Sequence, residues 1–568
     1  MDEIFNVENM DAEETGDSPE PKKAIRWTII IPIIVLIIIV IAVAVIIILL
    51  KFGDNKDDKC VKGDGDKCLT CDGEKCGSCN EGYKLVDGKC IKEDKCIKGD
   101  GDKCLTCDGE KCGSCNERYK LVDGSCILNF SFRAIYETKS ESENLTLIHD
   151  LYKDNIIEIE IDKEKISEPN NIYTFKNPGN HNVYILLDIE KITSLHLFNS
   201  TDNLKSIYFS KQFNTENITS LESLFYDCFS LESVDISNFN FEKVENMDSM
   251  FYNCQSLKTI IFPKSTTPNL KTMSFMFGIC LSLPSIDLTY FNTENVHDMS
   301  FAFFYCNSLT SIDLKNFNTK NLVNMQTIFG ECNSLTSIDM SNFITDKIED
   351  MSNLFQNCYL LKSIDLSNFN TENVYDMSAL FYGCNSLEYV NLSNFKTPKL
   401  TDLTSFFLGC ESLTSVDISH FDTSNVEDMN FMFTNCMSLK SLNVSNFDTS
   451  KVTRMYAMFA GCSNLTSIDI TNFNTENVTD MDYFLEECTS LTSIDLSSFK
   501  TENMPNMTEI FANCIHLSYI DISNFGESTD YFNLFIGVPE KGTIKINSKI
   551  KDKLNIPESW DIINADEE

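Results

Sequence analysis

Cysteine is the residue type in this chain most able to do chemistry, as a disulfide, a metal ligand or a nucleophile, and its 24 copies fall into two sets with different spacing. Twelve of them, Cys60, Cys68, Cys71, Cys76, Cys79, Cys90, Cys96, Cys104, Cys107, Cys112, Cys115 and Cys126, form two copies of C-x7-C-x2-C-x4-C-x2-C-x10-C that agree at 28 of 31 positions. The other twelve recur every 26 residues from Cys228 to Cys514. Each short module carries almost no large apolar residue, so it cannot bury a core and needs staples, either disulfides or zinc held by its C-x2-C pairs. Six cysteines per module favour disulfides, because zinc would use four and strand two. The connectivity stays open, since six cysteines pair in about fifteen ways.

The second candidate chemistry belongs to carboxylates. With each array cysteine counted as position 0, position +7 is aspartate at Asp235, Asp287, Asp313, Asp339, Asp365, Asp417, Asp469, Asp495 and Asp521, asparagine at Asn391 and Asn443, and Ile261 once. Aspartate is disfavoured in strands, so its recurrence needs a reason. Carboxylates on strands ~4.8 Å apart repel by about 1 kcal/mol in water before salt screening. Two readings follow: a solubility face inherited by duplication, or an acidic strip, helped by serines at +5 and +9, that takes Ca2+ or a basic partner. Catalysis is not expected. The six histidines (His149, His181, His196, His297, His420, His516) sit singly, and no zinc-protease, nucleophile-elbow, phosphate-loop or dinucleotide motif is present. No cofactor is implied beyond that Ca2+ reading.

These groups must be positioned by the 26-residue unit. Position +3 is leucine in all twelve units, +6 and +8 are aliphatic or Phe, and +11 is Phe except at Ser265. L-x-x-I-D-L thus predicts a short alternating strand. Thr at +13, an aliphatic residue at +16, Met at +19 (Leu403 once), a large apolar residue at +22 or +23 and the next Cys at +26 predict a short helix, capped at its start by the threonine. Such a unit cannot bury its apolar face alone, so the units must stack. The expected fold is α/β, a solenoid with a parallel sheet on its concave face and short helices on its convex face. The array cysteines would then lie on helices about 8–10 Å apart, too far for bridges, and act as buried free thiols.

The net charge of −39 argues against a nucleic-acid partner, which needs a basic surface. Residues Thr28–Leu50 are uncharged and include twelve isoleucines, a span of about 35 Å as a helix, so they predict a transmembrane segment. Basic residues flank both sides. The cysteine modules and nine Asn-x-Ser/Thr sequons, at Asn129, Asn144, Asn199, Asn217, Asn391, Asn443, Asn464, Asn477 and Asn506, favour a cytosolic N-terminus and an extracellular C-terminus at the plasma membrane. The expected organisation is an acidic disordered tail (1–27), the transmembrane helix (28–50), the two modules (51–127, with units 60–90 and 96–126), a β-rich N-terminal cap (128–197), the array (198–525) and a C-terminal cap with an acidic tail (526–568).

The unit MF-x-x-C-x-S-L-x-S-I-D-L-S-N-F-x-T-E-N-V-x-D-M resembles the leucine-rich repeats of BspA-like surface proteins over about Asp202 to Phe525. Mycoplasma-type 26-residue surface repeats share the pattern. The string CLTCDGEKCGSCNEGYKLVDGKC resembles the furin-like, CxxC-rich modules of protozoan surface proteins and growth-factor receptors. The array departs from general leucine-rich repeats at +11, where Phe stands in place of a ladder asparagine and implies a stacked Phe spine. The resemblance implies cell-surface adhesion or recognition of a host-cell or extracellular protein or glycan. A structural coat without a ligand and an inverted, cytosolic scaffold are the alternatives.

Overall fold

The computed structural model describes residues 130–527 and 529–567 and, within residues 68–128, the backbone of eight short strands. The chain divides into two compact units, Met1–Leu128 and Asn129–Glu568. In the first, the strands form antiparallel hairpins: Cys68–Asp72 with Lys75–Cys79, Tyr83–Val86 with Lys89–Lys92, Cys104–Asp108 with Lys111–Cys115, and Tyr119–Val122 with Ser125–Leu128. The backbone register sets Cys68 opposite Cys79 and Cys71 opposite Cys76, and repeats this as Cys104 opposite Cys115 and Cys107 opposite Cys112. The side chains of these cysteines lie outside the described residues.

The second unit opens with strands where the sequence alternates most cleanly. Phe132–Thr138 pairs antiparallel with Gly179–Leu187 on one side and with Leu204–Phe209 on the other. Leu204–Phe209 then pairs in parallel with Ser233–Asp235, and that strand with Thr259–Ile261. With Ile156–Ile161 and Glu164–Lys165 they make one seven-stranded sheet. Parallel pairing at +5 to +7 returns at Ser363–Asp365 with Tyr389–Asn391, and again from Ser493–Asp495 through Tyr519–Ile522 and Thr543–Ile546 to Asp561–Asn564. Alternation works as the pattern predicts: the +3 leucines and the +8 residues from Ile236 to Leu496 point inward, Phe262 being only partly buried, while +5 and +7 face solvent except at the buried Asp521.

The expected helices are absent, and this corrects the α/β fold class. Helical structure among the described residues is confined to three 3-10 segments, Asp150–Asn155, Ser548–Lys553 and Ala565–Glu567. From +19 to +26 each coil instead makes two consecutive four-residue turns. In the coil of Cys228 the Met250 amide donates to the Met247 carbonyl and the Cys254 amide to the Phe251 carbonyl, at 3.3 and 3.2 Å. The third residue of each turn has positive φ, as in Ser249 (54°) and Asn253 (62°), which is the pattern of type II turns. The same two positions are left-handed through the array, although glycine fills only a few of them.

Back-to-back four-residue turns return an apolar corner every three or four residues, so they imitate the stripe of an amphipathic helix. What separates them is where the amides go. The Met247, Ser249, Phe251 and Asn253 amides donate to the next coil, to Thr272, Ser274, Met276 and Gly278, at 2.7–3.1 Å, rather than four residues back along their own coil. Isolated parallel bridges at +18, from Ser194↔Ser220 to Arg454↔Asp480, mark this second ladder. The second unit is therefore a β-solenoid of strands and turns.

Threonine at +13 is not a helix cap either. From Thr267 to Thr501 it is buried, and its hydroxyl bonds the residue at +12 of the next coil, as Thr371 does with Lys396 (donating at 2.7 Å, accepting at 2.8 Å). Asparagine ladders flank it. Asn373 at +15 donates to the Asp346 carbonyl at 2.8 Å, and Asn368 at +10 to the Phe343 carbonyl at 2.9 Å.

Two phenylalanine columns fill the core. The +11 column stacks loosely, with Phe395 and Phe421 6.1 Å apart. The tighter column is at +23, running from Phe198 through Phe225 and Phe251 to Phe433 and Phe459 with near-parallel rings 5.3–6.0 Å apart. Where Ser265 interrupts the +11 column, Phe262 at +8 turns into the gap and meets Phe291 at 5.2 Å. The twelve array cysteines are free and fully buried, as expected, but for a different reason from helix spacing. Each thiol donates to the +23 carbonyl of the preceding coil, as Cys384 does to Phe355 at 3.1 Å.

The plasma-membrane localisation is corrected as well. Among the described residues no helix is long and apolar enough to cross a membrane. Thr28–Leu50, the segment on which that topology rested, lies outside the described residues, as does the tail 1–27.

Candidate functional site

The aspartates of the predicted strip lie on one face of the solenoid because +7 sits between the inward +6 and +8 residues. Asp287, Asp313, Asp339 and Asp365 occupy four successive coils on this face; Asp313, Asp365, Asp417 and Asp495 are exposed or nearly so, Asp235 is half-buried and Asp521 is buried. Each uses one carboxylate oxygen locally, accepting the amide two residues on and so holding the turn that ends the strand. Asp365 accepts from Ser367 at 2.9 Å, Asp417 from the Ser419 amide and hydroxyl at 3.1 and 2.7 Å, and Asp495 from Ser497 at 2.9 Å. These bonds hold Asp287, Asp339, Asp365, Asp417 and Asp469 below the usual carboxylate range. Asn391 and Asn443 accept from Ser393 and Ser445 in the same way, each at 3.2 Å, so the turn needs an acceptor and not a charge.

At its N-terminal end the row changes character. The register continues from Asp235 to Tyr208 and Arg133 on one side and to Ile261 on the other. Beside it at +4 runs a chain of ion pairs, Glu137–Lys205–Glu232–Lys258, with distances of 3.1–3.3 Å.

A second acidic column, at +18, escaped the sequence reading although its signal, recurrent aspartate at a fixed offset, was the same. Asp350, Asp376, Asp402 and Asp428 follow one another in the turn-side ladder. Burial, with repulsion from Asp350 and Asp402, raises the Asp376 carboxyl. Arg454, which stands in the column between Asp428 and Asp480, pairs with Asp428 at 2.7 Å. No group of three or more His, Cys, Asp or Glu among the described residues is arranged to hold a metal ion.

The structure also joins residues that the sequence keeps apart. His181 bonds Asp162 through Nδ1 at 2.7 Å and lies 3.2 Å from the Thr138 hydroxyl through Nε2, the order of a nucleophile, base and acid. It cannot act as one. The Thr138 hydroxyl is buried and donates to the Asn177 carbonyl at 2.9 Å, and His181 packs on Phe175. The group staples the first strands together. The remaining histidines are dispersed, with His196 on Ser194 and His420 on the Leu392 carbonyl, both at 2.8 Å.

Among the sequon asparagines, Asn144, Asn217 and Asn443 are exposed or nearly so, and Asn199, Asn391 and Asn506 half-buried. The Asn477 amide is already committed to the Ser450 carbonyl at 2.7 Å. Asn129 lies outside the described residues.

Among solved structures the chain is similar to a leucine-rich repeat protein of Bacteroides ovatus, at 20% identity and a TM-score of 0.35, over 67% of this chain and 95% of that one. It is also similar to a leucine-rich repeat protein of Leptospira interrogans (12% identity, TM-score 0.19, 61% and 93%) and to the chain in a TLR13–ssRNA13 complex (13%, 0.22, 61% and 53%). At these scores the likenesses carry no functional argument. No curated protein matches the chain. The family match starts at residue 173, downstream of the cysteine modules, and comes as four overlapping stretches, 173–285, 271–364, 350–443 and 438–540. On that match, which takes in the whole array, the chain belongs to the family described as Mycoplasma protein of unknown function, DUF285.

Proposed function

We propose that this chain is a non-catalytic recognition protein whose repeat array engages a basic protein partner through the solvent-facing +7 row, in an adhesive or receptor-like role. The observation that carries the reading is the run Asp287–Asp313–Asp339–Asp365. Four exposed carboxylates stand at the same position of four successive coils, each keeping one oxygen beyond the one spent on its turn. The coils that carry them are bridged in parallel at +18, which stacks them ~4.8 Å apart, and each carboxylate is held by its own turn, so little ordering is left to binding. A flat, repeating face of like side chains suits contact along a partner better than it suits the convergence of unlike groups that catalysis requires.

A structural array without a ligand is the second reading, and the turn role of these same aspartates favours it. The two separate by experiment, because asparagine holds the turn at Asn391 and Asn443. The full chain with Asp287, Asp313, Asp339 and Asp365 changed to Asn should fold normally and lose at least tenfold in affinity for an oligolysine peptide and in adherence to host cells. Removing four charges from a net −39 without the strip mattering would change binding only slightly, and that result leaves the structural array.

A further inference from the structure

We infer that the N-terminal end of the same sheet face carries a second, oppositely charged contact, and that the partner is an extended polypeptide segment with an acidic group, then an apolar residue, then basic residues. This rests on the acidic strip as a binding surface and adds polarity to it. The register across the seven-stranded sheet places Tyr184, Arg133, Tyr208, Asp235 and Ile261 side by side on five consecutive strands. Arg133 is exposed and makes no ion pair among the described residues, in a chain where acids outnumber bases 85 to 46. Tyrosines are its register partners on both sides. Tyr208 and Ile261 are 38% and 48% exposed, in a row that elsewhere is mostly aspartate or asparagine. A shallow cleft runs between them, lined by Arg133, Ser206, Tyr208, Ser233, Asp235 and Ile261.

An unpaired guanidinium beside tyrosine rings is a carboxylate-binding arrangement, since Arg presents a planar fork that donates to both carboxylate oxygens at once. An exposed Ile and Tyr next to it suit one apolar side chain. Strands ~4.8 Å apart put Ile261 three steps, about 14 Å, from Arg133, and the next coil, bridged to this one at Thr272↔Asp298, carries Asp287 about one step further, at about 19 Å. An extended peptide advances ~3.4 Å per residue and shows alternate side chains on one face. Acid at i, apolar residue at i+4 and base at i+6 therefore meet the row from a single face. From Arg133 the row runs through Tyr208 and the half-buried Asp235 to Ile261 and then to the exposed aspartates, with Glu160 beyond Tyr184 on the other side, so one exposed cation stands well before the run of carboxylates and sets the order in which the segment's charged groups must lie.

The test uses the full chain and a fluorescent nine-residue peptide, Glu-Ser-Ser-Ser-Leu-Ser-Lys-Ser-Lys, with the scrambled Leu-Ser-Lys-Ser-Glu-Ser-Lys-Ser-Ser, which has no base six residues from its acid in either direction, as control. The ordered peptide should bind at least tenfold more tightly than the scrambled one. Arg133→Met should erase that preference, Arg133→Lys should keep part of it, and the Asp→Asn quadruple variant should weaken both peptides. Equal binding of the two peptides, unaffected by Arg133→Met but weakened by the Asp→Asn changes, overturns the polar contact and leaves the acidic strip standing. Binding that none of the variants alters, or no binding at all, overturns both.

Discussion

The hydroxyl of Thr293 donates to the main-chain carbonyl of Asn318 at 3.1 Å and accepts from its amide at 2.8 Å, so one buried side chain satisfies both polar groups of one residue in the next coil. The same clip recurs in successive coils from Thr267 to Thr475 and joins them at a point where no strand does. Replacing Thr371 by Val keeps the shape but strands the Lys396 amide and carbonyl in the interior. We expect a loss of about 2–3 kcal/mol, read as a lower urea midpoint, whereas Thr371→Ser should cost about 1 kcal/mol or less.

Asp376 sits half-buried between Asp350 and Asp402 in the +18 ladder, and its folded pKa is raised, chiefly by burial. A raised carboxyl pKa contributes stability that is present below the unfolded value and lost as pH rises through the folded one, so at neutral pH the charge is a cost. An asparagine side chain in its place would still accept the Ser378 amide, as Asn324 accepts that of Gln326 in the same column. Asp376→Asn should therefore stabilise the chain by about 1 kcal/mol at pH 7. Thermal melts should show the gain shrinking toward pH 4.

The array thiols should be inert while the solenoid is intact. Burial pushes the Cys384 and Cys514 thiols up to about 12. An alkylating reagent at pH 8, with peptide mapping of Cys228 to Cys514, should label them only in denaturant. Linkage adds a pH dependence: the protonated thiols favour folding fully below an unfolded pKa of about 8.5, and that advantage declines as pH rises toward the folded value. Alkaline destabilisation beginning near pH 9 is the expected result. Labelling in the native state would contradict the burial.

Ile279 occupies the left-handed third position of a turn with φ of 60°, a conformation that a β-branched side chain adopts at a cost. Asparagine tolerates it and fills the same position at Asn253 and Asn357, where its side chain donates to the coil before. Ile279→Asn should raise stability by about 1 kcal/mol, visible as a higher midpoint in thermal unfolding. At Gly383 the opposite holds. There φ is 70° and an added Cβ would lie 2.0 Å from Asn357 Oδ1, so Gly383→Ala should destabilise.

Period and polarity were legible in the sequence because they depend only on spacing. Twenty-six residues per coil, leucine inward at +3, alternation around the Asp of L-x-x-I-D-L, and a solvent-facing +7 row all follow from side chains that must repeat on stacked coils. The nature of the second half of the coil did not follow. Met at +19, Phe at +23 and Cys at +26 suit a helical stripe and a pair of four-residue turns equally well. Only hydrogen bonding between coils, which joins residues 25 to 27 apart, decides between them. That bonding consumed the Thr hydroxyls, the Asn amides and the backbone donors that a helix would have used internally. Tertiary pairing alone also set Arg133 beside Tyr208 across about 75 residues of chain, because antiparallel register between a strand ahead of the array and its first coil cannot be read from a repeat.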